Sequence, residues 1–522
     1  MKVLFFYPNL YGMNMLPPAI GFFTTLLKRD SHEVALFDTT IYEGLDDSIN
    51  TDQQKADNLN ARAFDDSILK EHAKDSTHAL DDFNNIIKEF QPDLIAMSCT
   101  EDMYPVGINL LKDLDFRPPV VMGGVFATFA PELALELSYG TIDYILKGEG
   151  DRTLVEICRR LENNIDLNDL EGLVMHTKNG LINNPLPLPI SMEEQVLPDY
   201  SLFEESRFYR PMQGKLRKML PVTTIRGCPY KCAYCNSPSQ MQIHKDENKK
   251  FLRNAKIENV YNEIKHLIKH YKPDSFYFWA DTFLAWGDQE FDDFCDMYEE
   301  FKLPFWIQTR AETVTEYKFK RLKEVGLLRV AFGLEHGNEE FRKRVLDRKI
   351  SNKLLHKKLK IVTDMDIPIS VNNIIGFPTE TRELTFDTIE FNRHIRSDGI
   401  NAYSFTPFHG TPLRKMAEEL NYFEKGKLAR CINRPTMLSM PEYTKEEIEG
   451  IRRCFVLYVK MPKSRWQEIE KAEKLTPEGD KIWNELKQEC LVKYMHYGDY
   501  DKDDDIGTVD FEKDNTTKLK GA

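Results

Sequence analysis

The chain has no long apolar run. No stretch of about 18 consecutive apolar residues occurs in it, the length at which a run predicts a membrane-spanning helix. The N-terminal sequence MKVLFFYPNLYG contains an apolar run of only about five residues, too short for the core of a signal peptide. These absences predict a soluble, intracellular protein of the cytoplasm with no membrane span.

Positive charge is also in short supply. The 522 residues include 84 Asp and Glu against 70 Lys and Arg, which gives a net charge of −14. Such a surface repels a phosphate backbone, so the balance argues against nucleic acid as a partner. The hydrophobic content of 41% and the charged content of 30% are typical of a globular protein, and the length suits roughly three domains.

Cysteine is sparse outside one segment. Six of the nine cysteines are scattered without the spacing of a disulfide framework, whereas three crowd between Cys228 and Cys235. In a reducing compartment, cysteines clustered in this way indicate metal ligands before they indicate disulfides.

Residues 1–185 alternate short apolar runs with helical patterns, which predicts an α/β domain with a parallel, doubly wound sheet. We expect its strands at Lys2–Tyr7, Glu33–Phe37, Asp93–Ser98, Pro119–Met122 and Ile142–Leu146. Ligands bind such sheets at the carboxyl ends of the strands, and glycines there let the backbone approach a bulky ligand. Gly123-Gly124 follows the fourth expected strand, and Gly148-Glu149-Gly150 follows the fifth. Taken alone, each of these glycine segments is more typical of a tight strand-to-helix turn. A GxGxxG fingerprint is absent, which argues against a nicotinamide cofactor.

Residues 43–79 interrupt this alternation. The segment is polar, acidic and poor in candidate core residues. We therefore expect a solvated insertion, helical or mobile, rather than a lid.

The segment Thr223–Cys235 reads TTIRGCPYKCAYC, with Cys228, Cys232 and Cys235 in a C-x3-C-x2-C spacing. A [4Fe-4S] cluster usually takes four thiolates, so three on one loop would leave one iron open to a further ligand. The alternatives are a zinc site and a redox disulfide. Zinc normally needs a fourth Cys or His at a characteristic spacing, and the nearest downstream histidine, His244, is poorly placed.

Residues 216–424 repeat a strand–helix unit, which predicts a partial (β/α)6 barrel with catalytic residues at the carboxyl ends of its strands. The expected strands are Val222–Ile225, Ser275–Ala280, Pro304–Gln308, Arg329–Leu334, Ile367–Ile375 and Asn401–Thr406. Proline-rich residues 186–215 indicate a linker. Residues 425–522 indicate a small α-helical C-terminal domain, with helices at Thr444–Val459 and Thr476–Tyr494 and a mobile tail at Asp499–Ala522.

Together these segments resemble the cobalamin-dependent radical S-adenosylmethionine (SAM) enzymes of the class B methylase-like branch. The cysteine spacing matches the radical SAM superfamily, and VVMGGVFATFAPE followed by IDYILKGEGDRTL looks like the cobalamin-binding domain. The resemblance implies a Rossmann-like fold for residues 1–185 and base-off cobalamin, since the Asp-x-His-x-x-Gly motif of cobalamin mutases is missing. The implied cobalamin-binding residues are Asn9, Ser98, Thr100, Gly123, Gly124, Gly148 and Glu149.

The same resemblance implies that Cys228, Cys232 and Cys235 hold a [4Fe-4S] cluster whose open iron chelates SAM. The implied SAM-binding residues are Tyr234, Asp281, Thr282, Arg310, Glu335, Gly376 and Pro378. The second strand ends in Asp-Thr-Phe rather than the Gly-Gly-Glu of other members. Asp281 could instead cap the next helix, Glu335 and Arg310 could be structural, and Pro378 could only shape a turn.

The implied reaction is reductive cleavage of SAM to a 5′-deoxyadenosyl radical, followed by methylation of an unactivated carbon through methylcobalamin. The alternative within the family is a non-methylating radical cyclase or rearrangement enzyme; a cofactor-binding sensor is a third possibility. The implied cofactors are the [4Fe-4S] cluster, SAM and cobalamin. The implied partners are a small-molecule or peptide substrate and an electron donor such as flavodoxin or ferredoxin.

Overall fold

The computed structural model describes residues 1–46 and 51–495, and most of their strands lie in two seven-stranded sheets. The first sheet belongs to the N-terminal third of the chain and the second to the middle. Helices cover both sheets, as expected for the predicted α/β fold class.

The N-terminal third contains nine strands and eight helices within the described residues. The strands are β1 (Lys2–Tyr7), β2 (Glu33–Asp38), β3 (Tyr42–Glu43), β4 (Lys74–Asp75), β5 (Leu94–Ser98), β6 (Val120–Gly123), β7 (Tyr144–Leu146), β8 (Leu173–Thr177) and β9 (Gly180–Asn183). The helices are α1 (Pro18–Arg29), α2 (Thr51–Asp57), α3 (Ser67–Glu71), α4 (Ala79–Phe90), α5 (Tyr104–Lys112), α6 (Val125–Phe129), α7 (Pro131–Leu137) and α8 (Gly150–Glu162).

The first sheet, which we call the N-terminal sheet, has the order β2-β1-β5-β6-β7-β8-β9. Its first five strands are parallel, and alternate residues of β1 enter two separate cores: Val3 and Phe5 pack with α1 and α8, whereas Leu4 and Phe6 pack with α4 and α5. The doubly wound prediction is therefore confirmed. The chain reverses direction along the sheet between β1 and β5, so a ligand crevice opens at their carboxyl ends. The antiparallel hairpin β8–β9 was not predicted.

The middle of the chain forms the second sheet. Its elements include β10 (Tyr209–Met212), β11 (Lys215–Thr223), β12 (Ile225–Arg226), β13 (Arg253–Asn254), β14 (Ser275–Trp279), β15 (Phe305–Thr309), β16 (Leu327–Glu335), β17 (Ile369–Ile375) and β18 (Gly399–Ser404). The helices are α9 (Ser237–Asp246), α10 (Ile257–Tyr271), α11 (Asp288–Tyr298), α12 (Glu316–Val325), α13 (Glu339–Arg344), α14 (Asn352–Asp364), α15 (Arg382–Arg393) and α16 (Pro412–Glu419).

This second sheet, which we call the half-barrel, has the order β10-β11-β14-β15-β16-β17-β18. All its pairings are parallel except that of β10 with β11. Residues alternate along each strand: Phe276 and Phe278 join the core beneath α10 and α11, whereas Tyr277 joins Met212 and Met219 on the inner side. The predicted partial barrel is thus confirmed, and its carboxyl edge is where the site must lie.

Two expectations for the connecting segments are wrong. Part of the expected linker forms β10, an edge strand of the half-barrel. The expected insertion is helical in part, as predicted, because it contains α2 and α3. It is not simply solvated, however, since Leu59 is 3% exposed in a core shared with the half-barrel, Asn60 Nδ2 donates to Ile400 O at 2.8 Å, and Arg62 pairs with Asp398. The polar composition gave no sign of this packing, because the segment is held by polar side-chain contacts and a single buried leucine.

The C-terminal region is helical, as predicted. Its helices are α17 (Lys445–Lys460), α18 (Trp466–Ala472) and α19 (Pro477–Lys493). Thr444 and Glu447 form a capping box at the start of α17, and Arg393 of α15 donates to Met461 O at 2.7 Å just after its end. The expected mobile tail at Asp499–Ala522 lies outside the described residues. In residues 1–46 and 51–495, no helix is both long and apolar enough to cross a membrane.

Candidate functional site

A loop with three cysteines follows β12 at the carboxyl edge of the half-barrel. It leaves the strand at Gly227, whose φ of +90° lies in the left-handed region that favours glycine. Ala233 anchors the loop on both sides: its N–H donates to Leu346 O at 3.1 Å, and its carbonyl accepts from Leu413 N at 3.1 Å. The loop is thereby tied to the segments that follow β16 and β18.

Each of the three thiols has a polar neighbour. The contacts are Cys228 Sγ to Thr282 Oγ1 at 3.4 Å, Cys232 Sγ to Arg310 Nη1 at 2.9 Å and Cys235 Sγ to Ser237 N at 3.5 Å. Burial raises the pKa of the Cys228 thiol and raises the pKa of the Cys235 thiol to about 11. These two thiols therefore carry protons in the metal-free protein, and iron binding would release them.

The geometry favours a cluster over the two alternatives left open by the sequence. All nine cysteines are free thiols, so no disulfide forms at the loop. In the described part of the chain, no group of three or more His, Cys, Asp or Glu side chains surrounds a single metal-ion position. Iron–sulfur clusters do not need such convergence, because each cysteine binds a different iron.

The residues predicted to bind SAM come together at the carboxyl edge of the half-barrel. Their positions are Tyr234 on the cysteine loop, Asp281 and Thr282 after β14, Arg310 after β15, Glu335 at the end of β16, and Gly376 and Pro378 after β17. This common location follows from the parallel strands, whose carboxyl ends meet at one edge.

Arg310 lies between the cysteine loop and an acidic partner. Its guanidinium contacts Cys232, pairs with Glu312 and stacks 3.8 Å from the ring centroid of Tyr230. A cation at this position lowers the free energy of the Cys232 thiolate. Its Nη1 bonds to the loop and its Nη2 to Glu312, and only its Nε is buried without a hydrogen-bond partner.

Asp281 holds an acidic position facing the interior space. It accepts a hydrogen bond from Ser237 Oγ at 2.7 Å, and in the described residues no Lys, Arg or His lies within ion-pair distance of it. The next helix, α11, is capped at Gly287 rather than by Asp281, so the capping alternative is wrong.

Glu335 folds back over the end of β16. Its φ is +66°, and a Cβ added to Gly333 would lie 2.1 Å from Glu335 Oε1, so the carboxylate lies directly over the bare glycine. Arg348, which is fully buried, donates to Gly333 O at 2.8 Å and lies 3.5 Å from both Glu335 Oε1 and Tyr234 Oη. Burial raises the pKa of Glu335 despite this cation.

Gly376 and Pro378 sit deeper. Gly376 has a φ of +75°, and a Cβ there would lie 3.2 Å from the side chain of Ile448 on α17. Pro378 is buried. The structure therefore shows Gly376 packing against α17.

All seven residues predicted to bind cobalamin lie around a cavity of about 730 Å³ at the carboxyl edge of the N-terminal sheet. Ser98 ends β5 and Gly123 ends β6 on its wall. A Cβ added to Gly123 would meet nothing nearer than Leu146 O at 4.0 Å, so the missing side chain leaves open space for a ligand. Gly124, with φ +120°, instead needs glycine because a Cβ would lie 2.5 Å from Cys99 O.

Three other residues predicted to bind cobalamin line the same cavity, and their polar groups already form hydrogen bonds within the protein. Asn9 Nδ2 donates to Met13 O at 3.1 Å and to Thr40 Oγ1 at 2.9 Å. The N–H of Gly148 donates to Thr128 Oγ1 at 2.9 Å. The hydroxyl of Thr100 donates to Asp102.

Glu149 joins the two sheets. Its carboxylate pairs with Arg253 of β13 and lies 3.4 Å from Arg226 of β12, which also binds Asp151 through two hydrogen bonds of 2.9 and 3.0 Å. The side chain of Glu149 is therefore occupied by arginines that flank the cysteine loop.

The cavity continues from the glycine-lined edge to the cysteine loop. Its wall includes Gly123 and Gly148 at one end and Trp279, Asp281 and Ser237 at the other. The donor set fits three groups: three thiols for a cluster, an unpaired carboxylate for an amino group, and a glycine-lined cradle for a large planar ligand.

Two family models match the chain. The radical SAM superfamily model matches residues 222–391, and the B12 binding domain model matches residues 56–158. The first covers β12 to α15 with the cysteine loop, and the second covers the cavity-lining part of the N-terminal sheet.

Curated relatives differ in the activity that their names state. An uncharacterised methyltransferase of Pyrococcus horikoshii is 28% identical over 410 residues, which cover 76% of this chain and 84% of the relative. The anaerobic magnesium-protoporphyrin IX monomethyl ester cyclase of Cereibacter sphaeroides is 24% identical over 386 residues, which cover 71% of this chain and 61% of the relative.

Two solved structures share the fold. The radical SAM methyltransferase TsrM of Kitasatospora setae, solved with cobalamin and a [4Fe-4S] cluster, aligns with a TM-score of 0.58 at 17% identity over 81% of this chain and 78% of its own. The cobalamin-dependent SAM radical enzyme OxsB, solved with aqua-cobalamin and SAM, aligns with a TM-score of 0.61 at 16% identity over 94% and 71%.

Several residues of the site carried no sequence signal. Arg348 follows α13 outside any motif, and Glu312 and Tyr230 become relevant only through Arg310. Arg253 is far from the cysteines in sequence but reaches Glu149. Only the basic residue Arg226, next to the cysteine loop, could have been singled out from its position.

Proposed function

Because this chain belongs to the cobalamin-dependent radical SAM enzymes, we propose that it methylates an unactivated carbon of its substrate through methylcobalamin. The observation that supports this most is the single cavity that joins the glycine-lined edge of the N-terminal sheet to the cysteine loop. Two cofactors held at its two ends would face a substrate between them.

When bound, the cluster and SAM would supply a 5′-deoxyadenosyl radical that removes hydrogen, and cobalamin would supply the methyl group. Cys228, Cys232 and Cys235 would hold the cluster, with Arg310 offsetting the charge of Cys232 at 2.9 Å. Asp281 is placed to accept the SAM amino group as an ion pair.

The protein's further contribution is rigidity. The Arg226–Asp151 and Arg253–Glu149 pairs tie the N-terminal sheet to the strands that flank the cysteine loop. A fixed distance between the two ends of the cavity orients the reacting groups, which is worth several kcal/mol in reactions of this type.

The test starts from protein purified without oxygen and reconstituted with iron, sulfide and hydroxocobalamin. SAM and a strong reductant are added, and S-adenosylhomocysteine and 5′-deoxyadenosine are quantified by mass spectrometry. We expect both products from the wild type and neither from Cys228→Ala. Cys295→Ala, a buried cysteine of α11 outside the site, serves as the matched control and should keep both.

The similarity to a cyclase gives a second candidate, a radical cyclisation or rearrangement without methyl transfer. 5′-Deoxyadenosine without S-adenosylhomocysteine would favour it. With a substrate in hand, a product heavier by one methylene supports methylation, whereas a product that has lost hydrogen contradicts it. Flavodoxin or ferredoxin in place of the chemical reductant tests the expected electron donor.

A further inference from the structure

The cavity contains an arginine without a partner. Arg210, on the edge strand β10, lines the cavity with its guanidinium carbon 4.8 Å from the ring centroid of Tyr277 and 5.4 Å from that of Trp306. Its Nη1 is buried without a hydrogen-bond partner, and no carboxylate among the described residues pairs with it. Arg210 is half-buried, but a guanidinium nitrogen that is buried without a partner is costly, so this side chain is suited to a charged ligand.

A second cation reaches the same cavity from α2. Lys55 of α2 lines the cavity and lies 3.2 Å from Asp52. Asp52 is also the carboxylate whose field acts on Arg210, so one negative charge serves two cations. The wall formed by these three residues therefore keeps a net positive charge.

We infer that Arg210 and Lys55 bind an anionic group of the substrate, a carboxylate or a phosphate. This inference rests on the proposed function and deepens it by naming the substrate class. A guanidinium can hold either anion through two parallel hydrogen bonds, with the ammonium as a second contact.

The position separates this anion from the cofactors. Tyr277 and Trp306 lie within β14 and β15, below the strand ends that carry Asp281 and Arg310. An anionic group held by Arg210 would sit deeper in the half-barrel than SAM. The rest of the substrate would then extend along the exposed ring of Trp279 towards the cysteine loop.

The experiment measures binding to the reconstituted enzyme by calorimetry, with phenyl phosphate, benzoate and the neutral benzamide as probes. We expect at least one of the two anions to bind about tenfold or more tightly than benzamide. The anion that binds more tightly shows whether the site prefers a phosphate or a carboxylate. Arg210→Gln should remove most of this preference, and Arg210→Lys should keep part of it. The control Arg321→Gln, on α12 and outside the cavity lining, should leave it unchanged.

Three results would overturn the inference. They are equal binding of charged and neutral probes, absence of binding of both anions at millimolar concentration, and loss of cobalamin from Arg210→Gln, which would assign the arginine to the cofactor. Should Arg210→Gln not fold, Lys55→Met reports on the same preference. Because the readout is binding, a wild type that forms neither SAM product would refute the proposed function alone.

Discussion

At the site, the conformation of a single residue, Glu335, is fixed by close contacts with its neighbours. The carboxylate of Glu335 occupies the space over Gly333. Arg348 donates a hydrogen bond to the carbonyl of Gly333 and forms an ion pair with Glu335. The left-handed φ of Glu335 is strained for a residue with a side chain, and such strain persists only where surrounding contacts enforce it. The contacts of Arg348 and the space at Gly333 supply that enforcement.

We predict that Gly333→Ala displaces the carboxylate of Glu335. The added methyl would stand 2.1 Å from Oε1, and overpacking of this kind costs about 1–3 kcal/mol. The thermal midpoint should fall and SAM binding should weaken. Combining Gly333→Ala with Glu335→Ala should recover the midpoint, since the clash is gone. Gly123→Ala, where an added Cβ would meet nothing nearer than 4.0 Å, is the control for the thermal midpoint; an equal loss there would contradict the explanation.

At the scale of elements, α10 is fixed to the strand that leads to the cysteine loop by a buried carboxyl. Glu263 of α10 accepts from the N–H of Thr223 at 3.2 Å, and burial raises its pKa from 4.5 to about 8. The folded state therefore keeps this proton at neutral pH, whereas the unfolded state loses it near pH 4.5.

We predict that Glu263 makes stability fall as the pH rises. Between pH 4.5 and 8 the folded state binds more protons than the unfolded state, so the free energy of unfolding decreases by up to about 1.4 kcal/mol per pH unit. Glu263→Gln should flatten the pH dependence of the thermal midpoint, with its largest gain near pH 8. The exposed Glu258→Gln on the same helix should follow the wild type. Parallel curves for all three proteins would contradict the assignment.

The segment after α2 offers a second test at this scale. If residues 51–63 close the half-barrel, Leu59→Ala removes a side chain that is 3% exposed, at a cost of about 2–4 kcal/mol. Ile68→Ala, in the following helix α3 and 41% exposed, should change little. Thermal unfolding measures both. An unchanged midpoint for Leu59→Ala would support the sequence-based prediction that this segment is a solvated insertion.

At the scale of the whole molecule, charged side chains join the two sheets at two separate places. Arg226 and Arg253 reach Asp151 and Glu149 at the first. At the second, Glu101, which follows β5, accepts from the N–H and Nδ1 of His409 at 2.8 and 2.7 Å. Such buried pairs fix geometry more than they add stability, since their desolvation offsets much of the attraction.

We predict that Asp151→Asn loosens the contact between the sheets. Arg226 would remain 15% exposed with only Glu149 nearby, at a cost of about 3 kcal/mol. The thermal midpoint and the cobalamin retained after gel filtration should both decrease. The surface pair of Arg321 with Asp296, whose carboxylate is 72% exposed, gives the control Asp296→Asn, expected to change neither. Retention equal to that of the wild type would show that the pairs are not needed to hold the two ends.

The fold and the cysteine site could be predicted because each is encoded locally. Alternating apolar and helical patterns specify the strands and helices, and C-x3-C-x2-C places three thiols on one short loop whatever surrounds it. The residues that follow the parallel strands were also predictable as a group, because parallel strands share one carboxyl edge. Their individual roles were not, and the position of Arg310 between Cys232 and Glu312 illustrates this.

The sequence by itself determined the fold class, the cysteine loop and the edge at which the site lies, since these depend on periodicity and short spacing. Only the tertiary structure decided which charges meet. Arg348 reaches Glu335, Arg253 reaches Glu149, and Asn60 reaches Ile400 of β18. These contacts join segments distant in the chain through side-chain burial and pairing, and neither composition nor periodicity carries that information.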